Sequence, residues 1–449
     1  MKSRNNKLDL TTGSVSRKLI AFAMPILASN LLQHLYNAVD RAVVGKFAAN
    51  GEFALAAVGS TGAASALLLN MFLGLSIGAN VICSNPRGAN KHDDLRKAMH
   101  TSVMLAAVSG LLIALVGFFL ARPFLTLMGS PKSVIDSATL YMRIYFVGVP
   151  FSLLYNFCAG ILRAHGDTKR PMIILGLSGL VNVALNLVFV ILCGMDVDGV
   201  AWATVISQLI SAVIVVRILF KPHGGYELTV KELKLHKHEL KSIFRVGIPS
   251  GLNGMVFSVA NVVLQSSINS LGDIVMAGST AAESITGLVY QVLTAFYTAC
   301  VSFSGQCYGA GEYKRIDKLL SRSLLYCCSI IAVFATIASI FPYTLLGLFT
   351  DNPDAIAAGF YKMVIICWGY VIYGASEVFL GVLRGMRKSA IPTLLNGLCA
   401  CVPRLLWVYF AFPLNRTIWF LCLCYPLSWF LSASAQGLYL WSVRRKLPH

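Results

Sequence analysis

Gly160–Pro171 reads GILRAHGDTKRP, and Gly381–Pro392 reads GVLRGMRKSAIP. The glycine, the Leu-Arg pair and the closing proline align without a gap, and the two arginines stand 384 − 163 = 221 positions apart. Gly88-Ala89 and Gly309-Ala310 recur at the same interval. Each is followed by a basic and acidic mixture, NKHDDLRK and GEYKRIDK. VGSTGAASALL (58–68) is echoed by AGSTAAESITGL (277–288), and Pro25 and Pro249 sit near the starts of corresponding segments. The chain is therefore a tandem repeat, and the quoted loop closes the fourth segment of each copy. At that helix end, Arg163 and Arg384 are expected to meet terminal carbonyls and complement the helix dipole.

The segments between these loops set the fold class. The chain has 449 residues, 57% hydrophobic and 12% charged, where a soluble domain carries about a quarter charged residues. A membrane span needs roughly 20 apolar residues, and twelve such runs occur, near 16–42, 53–83, 98–121, 138–162, 171–193, 199–220, 244–269, 277–305, 321–349, 359–383, 392–412 and 418–442. In hydrocarbon the backbone must pair within each segment, which forces helices. The expectation is an all-α membrane protein of twelve transmembrane helices in two six-helix lobes. Six is even, so both copies enter the membrane in the same direction, a parallel repeat about an axis along the membrane normal. The lobes would be 1–221 and 244–449. The linker, 222–243, has leucines at helical spacing among charges and predicts a short amphipathic helix on the inner surface.

The net charge of +18 raises the possibility of nucleic acid, but its distribution points elsewhere. Lys and Arg concentrate in the N-terminal tail, 85–97, 163–170, 217–245, 314–322, 384–388 and 444–446, while Glu52, Asp136, Asp196, Asp198, Asp273, Asp351 and Asp354 fall in the alternate loops. This positive-inside pattern places both termini in the cytoplasm. The polar N-terminal tail has no small-residue cleavage site and reads as no signal peptide. The twelve cysteines lack metal or redox spacing, and His236 and His238 are read as a solvated face and not as a metal site.

At this point the chain resembles the multidrug and toxic compound extrusion family of cation-coupled antiporters. The resemblance rests on PILASNLLQHLYNAVDRAVVG (25–45), LAAVGSTG (55–62), GLSIGANVICSNPRGA (74–89), GILRAHGDTKRP, NVALNL (182–187), GVAWATVISQ (199–208), GQCYGAG (305–311) and GVLRGMRKSAIP, in that order along the whole chain. It implies alternating access between two lobes, driven by proton or sodium entry, and a coupling aspartate in the first motif.

Three of the nineteen acids fall inside spans: Asp40, Glu283 and Glu377. Intramembrane carboxylates are costly and mark ion or substrate paths by default. Ser29, Gln33, Tyr36, Asn37 and Asp40 share one stripe of the first span, a polar face that should look into a cavity. Burial resists ionisation of a carboxylate, so Asp40 can take a proton from outside and lose it inside. Pro25 removes a backbone hydrogen bond and permits a kink that protonation would exploit. The alternative is a surface pair of Asp40 with Arg41. Asn182 and Asn186 on the fifth span, with Thr204, Gln208 and Ser211 on the sixth, form either a proton or cation network around Asp40 or plain interhelical glue. In relatives the position of Asn186 often holds a second aspartate.

Glu377 shares a stripe with Tyr370 and Tyr373, and Glu283 with Tyr290, Thr294 and Tyr297. Acid beside aromatics suits a flat organic cation and suits helix packing equally. Family members coupled to sodium carry acids on spans seven and ten. Here the seventh holds Asn253, Asn261, Gln265 and Asn269 instead. Arg404, deep in the eleventh span, is a possible partner for either acid. No GxxxxGK[ST] phosphate loop is present, no nucleophile–base arrangement is legible, and no cofactor is expected beyond H+ or Na+ as coupling ion. The leading expectation is a monomeric, non-enzymatic, proton-coupled antiporter exporting amphipathic cations, in contact with membrane lipid and not with nucleic acid. A lipid-linked oligosaccharide flippase is the runner-up, with a sensor or channel behind it.

Overall fold

The computed structural model describes residues 8–47, 51–127, 135–220 and 228–447, with the side chains of 41, 42, 44–47, 51–69 and 127 outside that set. The described residues form long helices and no strand. In the first copy these are α1 (Val15–Phe47), α2 (Gly51–Gly88), α3 (His92–Leu127), α4 (Ile135–Ala164), α5 (Lys169–Leu192, ending in a π turn over Val188–Leu192) and α6 (Val197–Phe220). The second copy holds α7 (Lys237–Asn269), α8 (Asp273–Gly309), α9 (Tyr313–Ile340), α10 (Pro353–Gly385), α11 (Ala390–Leu414) and α12 (Ile418–Arg445). Eleven described segments are long and apolar enough to cross a membrane, and α2 completes the twelve. Outer faces are apolar, as lipid requires. On α3, Leu111, Leu115 and Phe119 recur every four residues at 58–68% exposure.

The repeat is written in the helix stops. Gly166 (φ 83°) ends α4, and Arg387 (φ 62°), 221 positions on, ends α10. Asn90 (φ 53°) ends α2, and Gly311 (φ 76°) ends α8 at the same interval. Each left-handed residue turns the chain so that the next N–H reaches back to a helix carbonyl. Asp167 N–H donates to Leu162 O at 2.9 Å and Lys388 N–H to Leu383 O at 2.9 Å. Lys91 N–H donates to Pro86 O and Glu312 N–H to Cys307 O, again at 2.9 Å. Gly166 has a second constraint: a Cβ there would lie 2.0 Å from Leu8 O, whose residue pairs its N–H with Gly166 O at 3.1 Å. The arginines of the quoted loops do not cap their own helices. Arg384 is buried, donates to the Tyr297 hydroxyl and lies over that ring, while Arg163 lines a cavity described below.

By packing, the chain divides into two compact units, Met1–Asp9 with Ala28–Gly251, and Leu10–Leu27 with Leu252–His449. The repeat boundary between 221 and 244 and this packing boundary therefore differ by the start of α1 and the first half of α7. Two glycine pairs account for the α7 segment. Gly74 and Gly78 on α2 meet Gly247 and Gly251 on α7 so closely that a Cβ on Gly74 would lie 2.1 Å from Gly251 N. Small residues four apart permit such backbone approach between membrane helices. Ile243 then buries in one cluster with Leu75, Ala79 and Leu95, and Val246 is buried as well.

The described part of the linker is not the separate amphipathic helix expected. Residues 228–236 hold one 3-10 turn, Val230–Glu232, and Lys237 already begins α7. Backbone groups are taken by α3 side chains instead: Thr229 N–H donates to His100 Nε2 at 3.1 Å and His236 N–H to Thr101 Oγ1 at 3.2 Å. Leu228 buries, and Arg96 pairs with Glu232 at 2.5 Å. Docking on α3 satisfies the chain where a free surface helix would have needed lipid to do so. Residues 221–227 lie outside the described set.

Candidate functional site

In the first unit, α1, α4, α5 and α6 enclose a cavity of about 480 Å³. The α1 stripe lines it: Ser29, Gln33, Tyr36, Asn37 and Asp40, joined by Asn182 of α5 and Thr204, Gln208 and Ser211 of α6. The polar face exists because lipid excludes it from the outside and no apolar partner fills it from within. Asn186 sits behind, fully buried at the mouth of the α5 π turn, and its Nδ2 donates to Asp40 Oδ1 at 2.5 Å. The chain of contacts continues from Asn186 Nδ2 to Asn182 Oδ1 (3.4 Å) and from Asn182 Nδ2 to Thr204 Oγ1 (3.5 Å). Tyr36 lies over Gly179, where even a Cβ would meet the ring at 1.8 Å, and its hydroxyl donates to Gly176 O at 3.0 Å. Gln33 Nε2 donates to Asn37 Oδ1 at 3.4 Å. Pro25 lies within α1, three residues before the helix joins this unit. The side chain of Arg41 is outside the described residues.

Several cavity residues escaped the sequence reading. Tyr141, Tyr145, Ser152, Asn156 and Arg163 of α4 line the same space, with Tyr141 and Tyr145 stacked at 6.2 Å. The spacing of four within Tyr141/Tyr145 and Ser152/Asn156 was a usable signal, but uncharged polar residues are common in apolar helices, and the charge of Arg163 was read as serving its own helix end.

The second unit is built differently. Glu377 is buried one helical turn beyond the buried Tyr373. Tyr373 stacks on Tyr290 (6.4 Å) and on Trp429 (5.1 Å), and Tyr370 also meets Trp429 at 5.1 Å. Arg404 is buried, yet pairs with neither Glu377 nor Glu283 as entertained from sequence. Its Nε donates to Ser428 Oγ at 2.9 Å, and its guanidinium lies over Phe257, Tyr425 and Trp429 at 4.8–5.4 Å. Aromatic faces take the place of a carboxylate. The partner of Glu283 is Lys362 of α10, 2.5 Å away, which also donates to Ser279 Oγ at 2.6 Å. Lys362 is 1% exposed and Glu283 about half exposed. Lys362 was not singled out from the sequence: it stands three residues inside the expected span 359–383, and only the packing of α8 on α10 buries it.

A further network was also missed, apart from Asn253. Asn396 bridges Asn253 (3.1 Å) and Ser432 (2.6 Å), and Gln436 donates to Ser376 (3.0 Å) and Ser432 (2.9 Å). Single hydroxyls and amides on four helices become a cluster only through tertiary packing. Asp40 with its amides lies in the first unit, while Glu283, Tyr290, Tyr373 and Glu377 lie in the second.

These features can be set beside known proteins. The MatE family model matches residues 25–188 and again 249–410, one match per copy of the repeat. A Bacillus subtilis protein named probable multidrug resistance protein YpnP is 30% identical over 390 residues, covering 86% of each chain. The probable multidrug resistance protein NorM of Thermotoga maritima is 25% identical over 401 residues, covering 87% of this chain and 84% of that one. The same fold is found in a solved outward-facing structure of a multidrug resistance MATE family transporter, with a TM-score of 0.90, 21% identity and coverage of 100% and 99%. These likenesses do not favour a lipid-linked oligosaccharide flippase. Two matched halves, twelve spans and whole-chain relatives make this chain a member of the MatE family of membrane transporters.

Proposed function

We propose that this chain is a proton-coupled antiporter that exports amphipathic organic cations by alternating access. The relatives' names bring multidrug export to it, and one observation carries the coupling: a carboxylate, Asp40, held by the Asn186 amide at the wall of a polar cavity inside a membrane helix bundle. An intramembrane carboxylate of this kind marks an ion path. Asn186 suits both states of such a group. Its Nδ2 donates to the carboxylate, and its buried Oδ1 has no partner among the described residues. Amide oxygen and nitrogen are interchangeable by a half-turn, after which Oδ1 would accept from a protonated Asp40. Asn182 and Thr204 extend the relay. Neutral amides around one carboxylate suit a proton better than a sodium ion, which would want more anionic oxygen. In this reading protonation of Asp40 from outside bends α1 near Pro25 and contracts the cavity.

Substrate would meet Gln33, Tyr36 and Asn37 in the first lobe and the Tyr290, Tyr373 and Glu377 group in the second. Glu283 is held by Lys362 and serves the substrate only if that pair opens. One chain carries both groups, so a monomer suffices. The concentration of Lys and Arg in alternate loops supports both termini inside the bacterial cytoplasmic membrane.

The test is ethidium movement in everted vesicles under an imposed proton gradient or, separately, a sodium gradient. Proton-driven movement should fall at least tenfold in Asp40→Asn. Sodium-driven movement that survives the substitution would overturn proton coupling at Asp40 and shift attention to the second lobe.

A further inference from the structure

A second cavity lies apart from the transport machinery. It is a cleft of about 780 Å³ in the second unit, between the start of α1 (Ser14 and the residues beside it) and the first turns of α9. Arg315, Lys318 and Arg322 line it, and Leu325 closes its far end at 51% exposure. Its walls are fixed. Arg315 donates to the carbonyls of Leu10 and Gly13 at 2.7 Å each and to that of Thr12, clamping the chain before α1 against α9. The single acid in the lining, Asp317, is neutralised by the two-pronged grip of Arg444 from the end of α12. Lys318 and Arg322 have no carboxylate partner among the described residues.

Lys318, Arg322 and Leu325 recur at intervals of four and three, so they share one face of α9. Two free cations are followed, one turn further into the membrane segment, by exposed hydrocarbon. That order matches an amphiphile with an anionic head and an apolar tail. We infer that this cleft binds the headgroup of an anionic phospholipid, its phosphate on Lys318 and Arg322, its acyl chain along Leu325. The cation pair is not repeated in the first lobe, where the position matching Arg322 is Thr101, buried and bonded to the linker. The inference rests on the proposed cytoplasmic placement of this end of the helices, where a negative leaflet attracts basic segments. It does not depend on the coupling ion.

The experiment uses the purified full-length chain in neutral detergent. Lipid adducts are counted by native mass spectrometry and melting temperature is followed as phosphatidylglycerol, phosphatidylcholine, glycerol phosphate or inorganic phosphate is added. Phosphatidylglycerol should bind and raise the melting temperature, with the other three giving little. Lys318→Gln/Arg322→Gln should weaken phosphatidylglycerol binding, roughly five-fold per charge removed. Lys91→Gln/Lys97→Gln, a cytoplasmic pair outside the cleft, should leave it unchanged. Equal loss in the control pair, or full binding by the cleft variant, would overturn the site. A full response to inorganic or glycerol phosphate would replace the lipid with a soluble phosphate ligand. Arg322→Gln alone carries the same prediction at half the size, should the double variant fold poorly.

Discussion

Positions that match across the repeat do opposite work in the two lobes. Ser152, Asn156 and Gln208 line the open cavity of the first. Their counterparts 221 positions on are Tyr373, Glu377 and Trp429, all buried, with the rings of Tyr373 and Trp429 stacked at 5.1 Å. Tyr141, on the cavity wall, corresponds to the buried Lys362. Asn182 and Asn186, the amides beside Asp40, correspond to Pro403 and Trp407. The first lobe thus keeps small polar groups around one acid and holds space for water. The second places rings at two of the matching positions and pairs one of its acids, Glu283, with the base Lys362. The duplicated backbone survives because it is fixed by helix stops and glycine contacts, which constrain few residues. The facing side chains were left free to diverge, and that divergence separates an ion path from an aromatic site. Even the ion pairs that tie the third helix of each lobe down are reversed. Arg96 meets Glu232 in the first, while Asp317 at the matching position meets Arg444 in the second.

The most severe way to break this contrast is to write the second lobe's residue into the first. Gln208→Trp should fill much of the cavity beside Asp40 and reduce gradient-driven dye efflux more than tenfold, with the protein still folded by its melting curve. Efflux at the wild-type rate would show that the cavity is not on the path.

A smaller effect is expected from unbalancing the second lobe. Glu283→Gln leaves the buried Lys362 ammonium with Ser279 alone. Because Glu283 is half exposed, water compensates in part. The expected cost is about 2 kcal/mol, below the 3–5 kcal/mol of a fully buried pair broken on one side. Adding Lys362→Met should recover most of it. The check is a double-mutant cycle on unfolding midpoints in detergent, and additive losses would show that the pair is not coupled.

The smallest effects sharpen the comparison of the loops. Arg387 adopts a left-handed conformation that costs a non-glycine residue about 1–2 kcal/mol, so Arg387→Gly should stabilise the chain by about 1 kcal/mol. The matching change in the other direction, Gly166→Ala, should destabilise by at least that amount, since it adds a clash with Leu8 O. Equal and opposite shifts would mean that the Leu8 contact yields without cost.

Much was legible in advance. The twelve spans follow from the cost of exposing a backbone to hydrocarbon, which forces each segment into a helix whatever its neighbours do. The pairing of the helix stops follows from the GILR and GVLR motifs, since conformation there is decided within a few residues. The polar stripe of α1 followed from helical periodicity alone, and Asp40 drew attention because a charge in an apolar run has a large energy attached to it.

Other features depended on which helix faces which. The partner of Glu283 was sought in Arg404, the base deep in the eleventh span, and is Lys362 instead, which only the packing of α8 on α10 brings to it. Arg404 turned out to be held by three rings from α7 and α12. The linker was periodic enough for a surface helix, yet its backbone found better partners in His100 and Thr101. The tyrosines of α4 became cavity walls only once α4 packed on α6. The sequence by itself determined what each segment must be, because solvent acts on every residue separately. Tertiary structure decided which side chains meet, because that depends on helix rotation and approach, which glycines such as Gly74 and Gly251 permit but do not announce.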